Sequence, residues 1–179
     1  MRIFIGIDFA VEIKEKLAHL FSLTTPYLKF YKDVRKPLFH LTLYFIGSID
    51  PSKVKQFQHC LTQHVKASPF SIDMKGLNTF KKHDGHILYA SIAHGKENLI
   101  ALNEHIQNIL LTHGLIKQKT SFHPHVTLAR KVTFIDDDFL ALDFFDIKKV
   151  PVSQVTIFLS HQVDGNLTYT PLHHIHLKH

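Results

Sequence analysis

Phe122-His-Pro-His-Val-Thr-Leu-Ala-Arg130 is the stretch from which the rest of the chain can be read. Its working part is His125-Val-Thr-Leu128, an imidazole and a hydroxyl two positions apart with apolar residues between and after them. Side chains alternate across a strand, so His125 and Thr127 point one way while Val126 and Leu128 enter a core. One such pair arises easily by chance. The pattern recurs, however, as His40-Leu41-Thr42-Leu43, again in an apolar, strand-like run. The two copies lie 85 residues apart (125 minus 40) in a chain of 179, the spacing of a duplicated half and not of a short repeat array.

Composition sets the frame around these motifs. At 179 residues the chain can bury a proper core as one domain of two packed lobes, residues 1–179. Lys and Arg outnumber Asp and Glu to give a net charge of +6, which favours anionic partners such as nucleic acid or phosphorylated metabolites. The single Cys60 excludes an internal disulfide and a Cys-rich zinc site. No run approaches the ~20 apolar residues of a membrane helix, and the N-terminus lacks a signal-peptide pattern, so no membrane association and a cytoplasmic location are expected.

Taken in order, Arg2–Asp8 alternates as a strand, Val11 to about Ser22 has helical spacing, and Tyr27–Tyr31 suits a short strand. Lys32–Pro37 reads as a polar loop, Phe39–Ile46 as a strand closed by Gly47, and Pro51–Ala67 as an amphipathic helix. Phe70–Phe80 and His86–Ile92 form a hairpin about a turn at Lys81–Gly85. Lys96–Leu111 is a helix ended by Gly114, and His125–Val132 is the second motif strand. Asp136–Asp138 suits a short helical turn. Phe144–Val150, Val155–Ser160 and Tyr169–Leu177 are strands, the last two joined through Asp164-Gly165. The order predicts an α+β fold with mostly antiparallel sheets, helices on one side of each and no Gly-rich phosphate loop.

Two imidazoles facing one cleft supply a general base and a general acid whose ordinary pKa, ~6.5, lies near working pH. Each neighbouring hydroxyl can donate to a phosphoryl oxygen. Set side by side about a pseudo-two-fold, the strands make a phosphate cradle of His40, Thr42, His125 and Thr127, with no metal. Such a set suits in-line attack on a phosphodiester. Arg130 adds a fixed charge and a planar donor fork.

These residues, with Arg2–Asp8, Phe39–Gly47, Phe122–Arg130, Val155–Ser160, Gly165 and Tyr169, resemble the two-histidine phosphoesterases nearly end to end. Within them the chain is similar to the bacterial and archaeal RNA 2′,3′-cyclic phosphodiesterases, historically called 2′–5′ RNA ligases. The resemblance implies a bilobal fold with duplicated sheets, helices outside and one motif strand from each lobe facing a central cleft. It implies hydrolysis of a 2′,3′-cyclic phosphate to a 2′-phosphate without metal or other cofactor, with reverse 2′–5′ ligation as the counterpart. His40 and His125 then form the acid–base pair, His125 acting on water and His40 on the departing 3′ oxygen. Thr42 and Thr127 bind phosphate oxygens, Arg130 lies near the phosphate or base, and Phe45 stacks on a nucleobase. The implied partners are RNA or oligonucleotide ends and cyclic nucleotides, met by a monomer.

Phe45 and Arg130 each stand five residues beyond their motif His. An odd offset belongs on the opposite strand face, so both assignments require a bulge or twist in each strand. A different class of function also suits the cradle: an RNA-end or nucleotide-binding module without catalysis. Binding alone needs no paired acid and base, which favours the enzyme. Among the sixteen His, the tail Leu172–His179 offers clustered ligands for a metal carrier, against a strand with alternating His and apolar faces. Lys81, Lys82 and His83 make a basic hairpin tip that suits either an RNA backbone or solvent.

Overall fold

The computed structural model describes residues 1–136, 140 and 146–178. In chain order these form β1 (Arg2–Asp8), α1 (Val11–Thr24), β2 (Leu28–Asp33), β3 (His40–Ser48), α2 (Val54–His64), β4 (Phe70–Lys82), β5 (Gly85–His94), α3 (Lys96–Thr112), β6 (His125–Phe134), β7 (Asp146–Val152), β8 (Gln154–Val163) and β9 (Asn166–His176). The expected helix from Pro51 begins instead as a 3₁₀ turn, Pro51–Lys53, in which the Asp50 carboxylate accepts from the Ser52 amide at 2.8 Å. The β4–β5 strands run further than expected, so only His83 and Asp84 remain as the tip. Asp137 and Asp138 of the expected helical turn, and Phe144 at the start of the expected strand, lie outside the described residues. At the β8–β9 tip Asp164 and Gly165 both have positive φ, 50° and 75°. That is the two-residue turn whose twist matches paired antiparallel strands, and Asp-Gly is a sequence that adopts it cheaply.

The strands lie in one continuous curled sheet, ordered β7-β4-β5-β6-β3-β1-β8-β9, with β2 alongside the outer part of β6. Every described pairing between these strands is antiparallel. The two expected sheets are therefore halves of one, joined where β3 and β6 meet at a single pair, Leu41 and Val126. Each follows its motif His by one residue. Equivalent residues of two copies pair with each other in antiparallel only if a local two-fold passes between them.

The helices cover the outside. Leu17 and Leu20 of α1 are buried, and Lys14 on the same helix reaches Asp8 at 2.6 Å and the Pro37 carbonyl at 3.0 Å. Gln58 and Thr62 of α2 bond to the Leu172 carbonyl and the His173 ring on β9. The His-rich tail is thus a paired strand, with Ile175 and Leu177 buried between its imidazoles. Among the described residues no helix is long and apolar enough to cross a membrane.

β1 departs from strict alternation in a way that prepares the site. Five consecutive residues from Ile3 to Ile7 are shielded. Ile3, Ile5 and Ile7 enter the core under the helices, whereas Phe4 is buried on the opposite face. There it stacks on Phe158 with ring centres 4.9 Å apart and meets the edge of Tyr169 at 4.9 Å. An aromatic wall has replaced solvent on that side of the sheet.

Candidate active site

The first turn of each motif strand is fixed by the same main-chain contact. His40 Nδ1 donates to the Leu38 carbonyl at 2.7 Å, and His125 Nδ1 donates to the His123 carbonyl at 2.7 Å. In both cases the acceptor lies two residues upstream, just outside the strand, where the carbonyl has no ladder partner to serve. A carbonyl can only accept, so Nδ1 carries the hydrogen and Nε2 of each neutral ring keeps its lone pair. On His40 that nitrogen meets Thr42 Oγ1 at 2.8 Å.

Both strands then bulge at the same place. Along β3, Thr42 lies opposite Gly6 and Tyr44 opposite Ile5, which leaves Leu43 without a partner on β1. Along β6, Thr127 lies opposite Tyr89 and Ala129 opposite Leu88, which leaves Leu128 unpaired on β5. The extra residue reverses the faces beyond it. Both strands accordingly share one burial sequence over their first six residues: half-buried, buried, half-buried, buried, buried, exposed. The sixth residues are Phe45 and Arg130, and the bulges return both to the face of His40 and His125. Each stranded carbonyl is met from outside, Leu43 O by Asn103 Nδ2 at 2.7 Å and Leu128 O by the Val34 amide at 2.9 Å.

His40, Thr42, Phe45, His125, Thr127 and Arg130 all line a single cleft of about 750 Å³. The walls beside the two imidazoles match. His40 is flanked by Phe4 at 4.9 Å and Tyr169 at 5.0 Å, and His125 by Phe80 at 5.1 Å and Tyr89 at 5.3 Å. Gly6 lets β1 run close to His40, since a Cβ there would lie 2.7 Å from the Leu41 carbonyl. Phe45 is 60 % exposed, a large apolar ring left open at the cleft.

Electrostatics follow from this enclosure. Burial lowers the His40 pKa from 6.5 to about 4, against the opposing pull of the Leu38 carbonyl and Asp8, and Arg130 and Lys14 lower it further. Burial also lowers that of His125, with the His123 carbonyl opposing and His123, Arg130 and Lys82 adding to the lowering. Arg130 acts on both imidazoles and on Tyr169, whose hydroxyl burial holds above its ordinary value. The cleft is a positive, anion-seeking pocket with two lone-pair nitrogens inside it.

Sequence reasoning missed the support beneath the site. Gln107 Nε2 donates to Asn103 Oδ1 at 2.7 Å and to the Thr120 carbonyl at 3.1 Å, and Gln107 Oε1 accepts from the Thr120 amide at 2.7 Å. This buried chain ties the first bulge to the segment leading into the second motif. Its signal was present: two amides four apart on α3, on the stripe shared by Leu99, Leu102, Ile106 and Leu110. Among the described residues no group of three or more His, Cys, Asp or Glu is placed to hold a metal ion.

The chain is similar to several known proteins. A protein of Aeropyrum pernix named RNA 2′,3′-cyclic phosphodiesterase is 31% identical over 100 residues, 55% of this chain and 56% of that protein. The chain thus spans a little over half the length of that relative. A Methanocaldococcus jannaschii protein of the same name is 31% identical over 137 residues, 76% of this chain and 75% of its own. The crystal structure of E. coli LigT complexed with 3′-AMP superposes with a TM-score of 0.77 at 22% identity, covering 99% of this chain and 98% of that one. The model of the 2′-5′ RNA ligase superfamily matches residues 13–162, and the chain belongs to that superfamily.

Proposed function

We propose that this protein hydrolyses the 2′,3′-cyclic phosphate of an RNA or nucleotide end to a 2′-phosphate. His125 and His40 serve as base and acid, and Thr42, Thr127 and Arg130 hold the phosphate. One observation carries the reading: each imidazole is anchored through Nδ1–H to a carbonyl two residues upstream, so that both Nε2 atoms are committed to one cleft. A binding module without catalysis would need neither the anchoring nor the pair. The names of the relatives and the nucleotide held by LigT support the same substrate class.

In this scheme a water is placed on the side of phosphorus opposite the 3′ oxygen. His125 Nε2 takes its proton as the oxygen bonds to phosphorus. The bond from phosphorus to O3′ breaks, and the proton on His40 Nε2 passes to that oxygen. Product leaves as a 2′-phosphate with a free 3′-hydroxyl, one imidazole having gained the proton the other lost. Thr42, now bonded to His40 Nε2, turns its hydroxyl to a phosphoryl oxygen. Ligation runs the same exchange with a ribose 5′-hydroxyl in place of water, leaving a 2′–5′ linkage and a free 3′-hydroxyl. The phosphate anion also offsets the Arg130 charge that lowers both imidazoles, and so helps the acid hold its proton. Phe45 offers its open ring to the base, the whole acting as a monomer without cofactor.

Turnover of a nucleoside 2′,3′-cyclic phosphate in EDTA, with the product regiochemistry read by phosphorus NMR, is the test. A 2′-phosphate formed at an undiminished rate is expected. Activity abolished by chelation and restored by a divalent ion, or a 3′-phosphate product, would defeat the reading.

A further inference from the structure

The cleft holds more positive charge than the reacting phosphate needs. Lys82 lines it beyond the motif residues, and its charge acts on His125. On β4, Phe80 and Lys82 are two apart and share a face, whereas Lys81 points away. Phe80 lies opposite Ile87 in the hairpin, and Ile87 lines the cleft as well. Lys82 therefore extends the wall that begins at the Phe80–His125 contact, by two residues of strand, ~7 Å, on the order of one nucleotide step. Its neighbours explain why its charge is uncompensated. Asp84, the acidic residue of the hairpin tip, is held by Lys131 at 3.0 Å. Among the described residues Lys82 has no acidic partner.

A nucleoside cyclic phosphate carries a single anion, for which Arg130, Thr42 and Thr127 suffice. An oligonucleotide carries a further phosphodiester on the 5′ side of its last nucleotide, one step away. We infer that Lys82 is the subsite for that phosphodiester, and that the substrate class is an oligonucleotide end in preference to a free nucleotide. The inference rests on the cyclic phosphodiesterase reading above. The subsite has little to offer a base. The ring of Phe80 is already stacked on Tyr89 at 4.4 Å and set edgewise to His123 at 5.2 Å and His125. With Tyr89 covering one face of that ring and two imidazoles set against it, the subsite reads charge and leaves the penultimate base unread.

The test compares a trinucleotide ending in a 2′,3′-cyclic phosphate with the matching nucleoside 2′,3′-cyclic phosphate. For Lys82→Ala the ratio of the two kcat/KM values should fall by about tenfold, as for one charged hydrogen bond. The slope of log kcat/KM against log salt for the trinucleotide should become shallower by ~0.7, one single-strand phosphate contact. Lys82→Arg should retain both, and so should Lys55→Ala, an exposed cation on α2. An unchanged ratio in Lys82→Ala, or an equal loss on both substrates, overturns the proposal. Failure of the parent reading is distinguishable, since the unmodified protein would then turn over neither substrate. In that event anisotropy titrations decide instead, with a 3′-phosphorylated trinucleotide against a nucleoside 3′-phosphate. The proposal requires Lys82→Ala to reduce that selectivity, and unaltered selectivity overturns it.

Discussion

Replacing His40 by Gln offers a measure of what it costs to hold that ring in the cleft. Folding lowers its pKa from 6.5 to about 4, chiefly through burial. As pH falls through 6.5 the unfolded chain takes up the proton first and the folded one resists. The associated stability is fully present above that pH and is lost progressively as pH falls to the folded value. At 1.36 kcal/mol per pKa unit the whole effect is about 3 kcal/mol, and about 2 kcal/mol of it is lost between pH 8 and pH 5. That is a large share of the 5–15 kcal/mol typical of a domain. Urea unfolding followed by circular dichroism at pH 8, 7, 6 and 5 gives the stability of both proteins. The remaining imidazoles titrate in both and cancel in the difference. His40→Gln should gain on the unmodified protein by about 2 kcal/mol over that range. Parallel curves, constant to within about 0.5 kcal/mol, would refute the reasoning and mean that folding leaves the His40 pKa where it stands in the unfolded chain.

Three further outcomes follow from the same geometry. His40→Ala and His125→Ala should each lower turnover of a nucleoside 2′,3′-cyclic phosphate by roughly 10²–10⁴-fold with a native circular dichroism spectrum; near-normal rates in either would remove that residue from the chemistry. The pH profile of kcat/KM should be bell-shaped, with its maximum below 6.5 because both imidazoles are lowered in the free protein. Its limbs belong to the coupled pair, and a monotonic rise with pH would contradict the scheme. Phe45→Ala should weaken binding of nucleoside substrates by roughly 1–3 kcal/mol and matter far less for a base-free cyclic phosphate, whereas Arg130→Ala should lower kcat/KM for both. A Phe45 variant harmless on every substrate would leave that ring outside the site.

Much of this architecture was legible because its signals are local. The two His-x-Thr runs lie in apolar strands, Asp164-Gly165 forces a hairpin, and Gly114 ends α3. The odd offset of Phe45 and Arg130 even stated the condition, a bulge in each strand, that the register meets at Leu43 and Leu128. What could not be read were contacts made by groups common to every residue. The Leu38 and His123 carbonyls that orient the imidazoles have no side-chain signature. The joining of two sheets into one rests on a single pair, Leu41 and Val126, which no periodicity reports. The α2 start slipped for a similar reason: Pro51 begins a 3₁₀ turn as readily as an α-helix. Asn103 and Gln107, by contrast, were visible as polar breaks in an apolar stripe, and their role emerged only with the bulge they serve.

The matching bulges have one more consequence. Two imidazoles and two hydroxyls related by a two-fold look alike from either end, so a phosphate entering them has no reason to prefer one orientation over its reverse. The socket five residues beyond each imidazole is one place where the copies diverge. In one half it holds an uncharged ring and in the other a guanidinium. The backbone frame stays symmetric while its two ends become chemically unlike, and under the proposed function a strand of nucleic acid, itself directional, would lie across the cleft in one sense. Polarity here comes from two side chains mounted on equal footings.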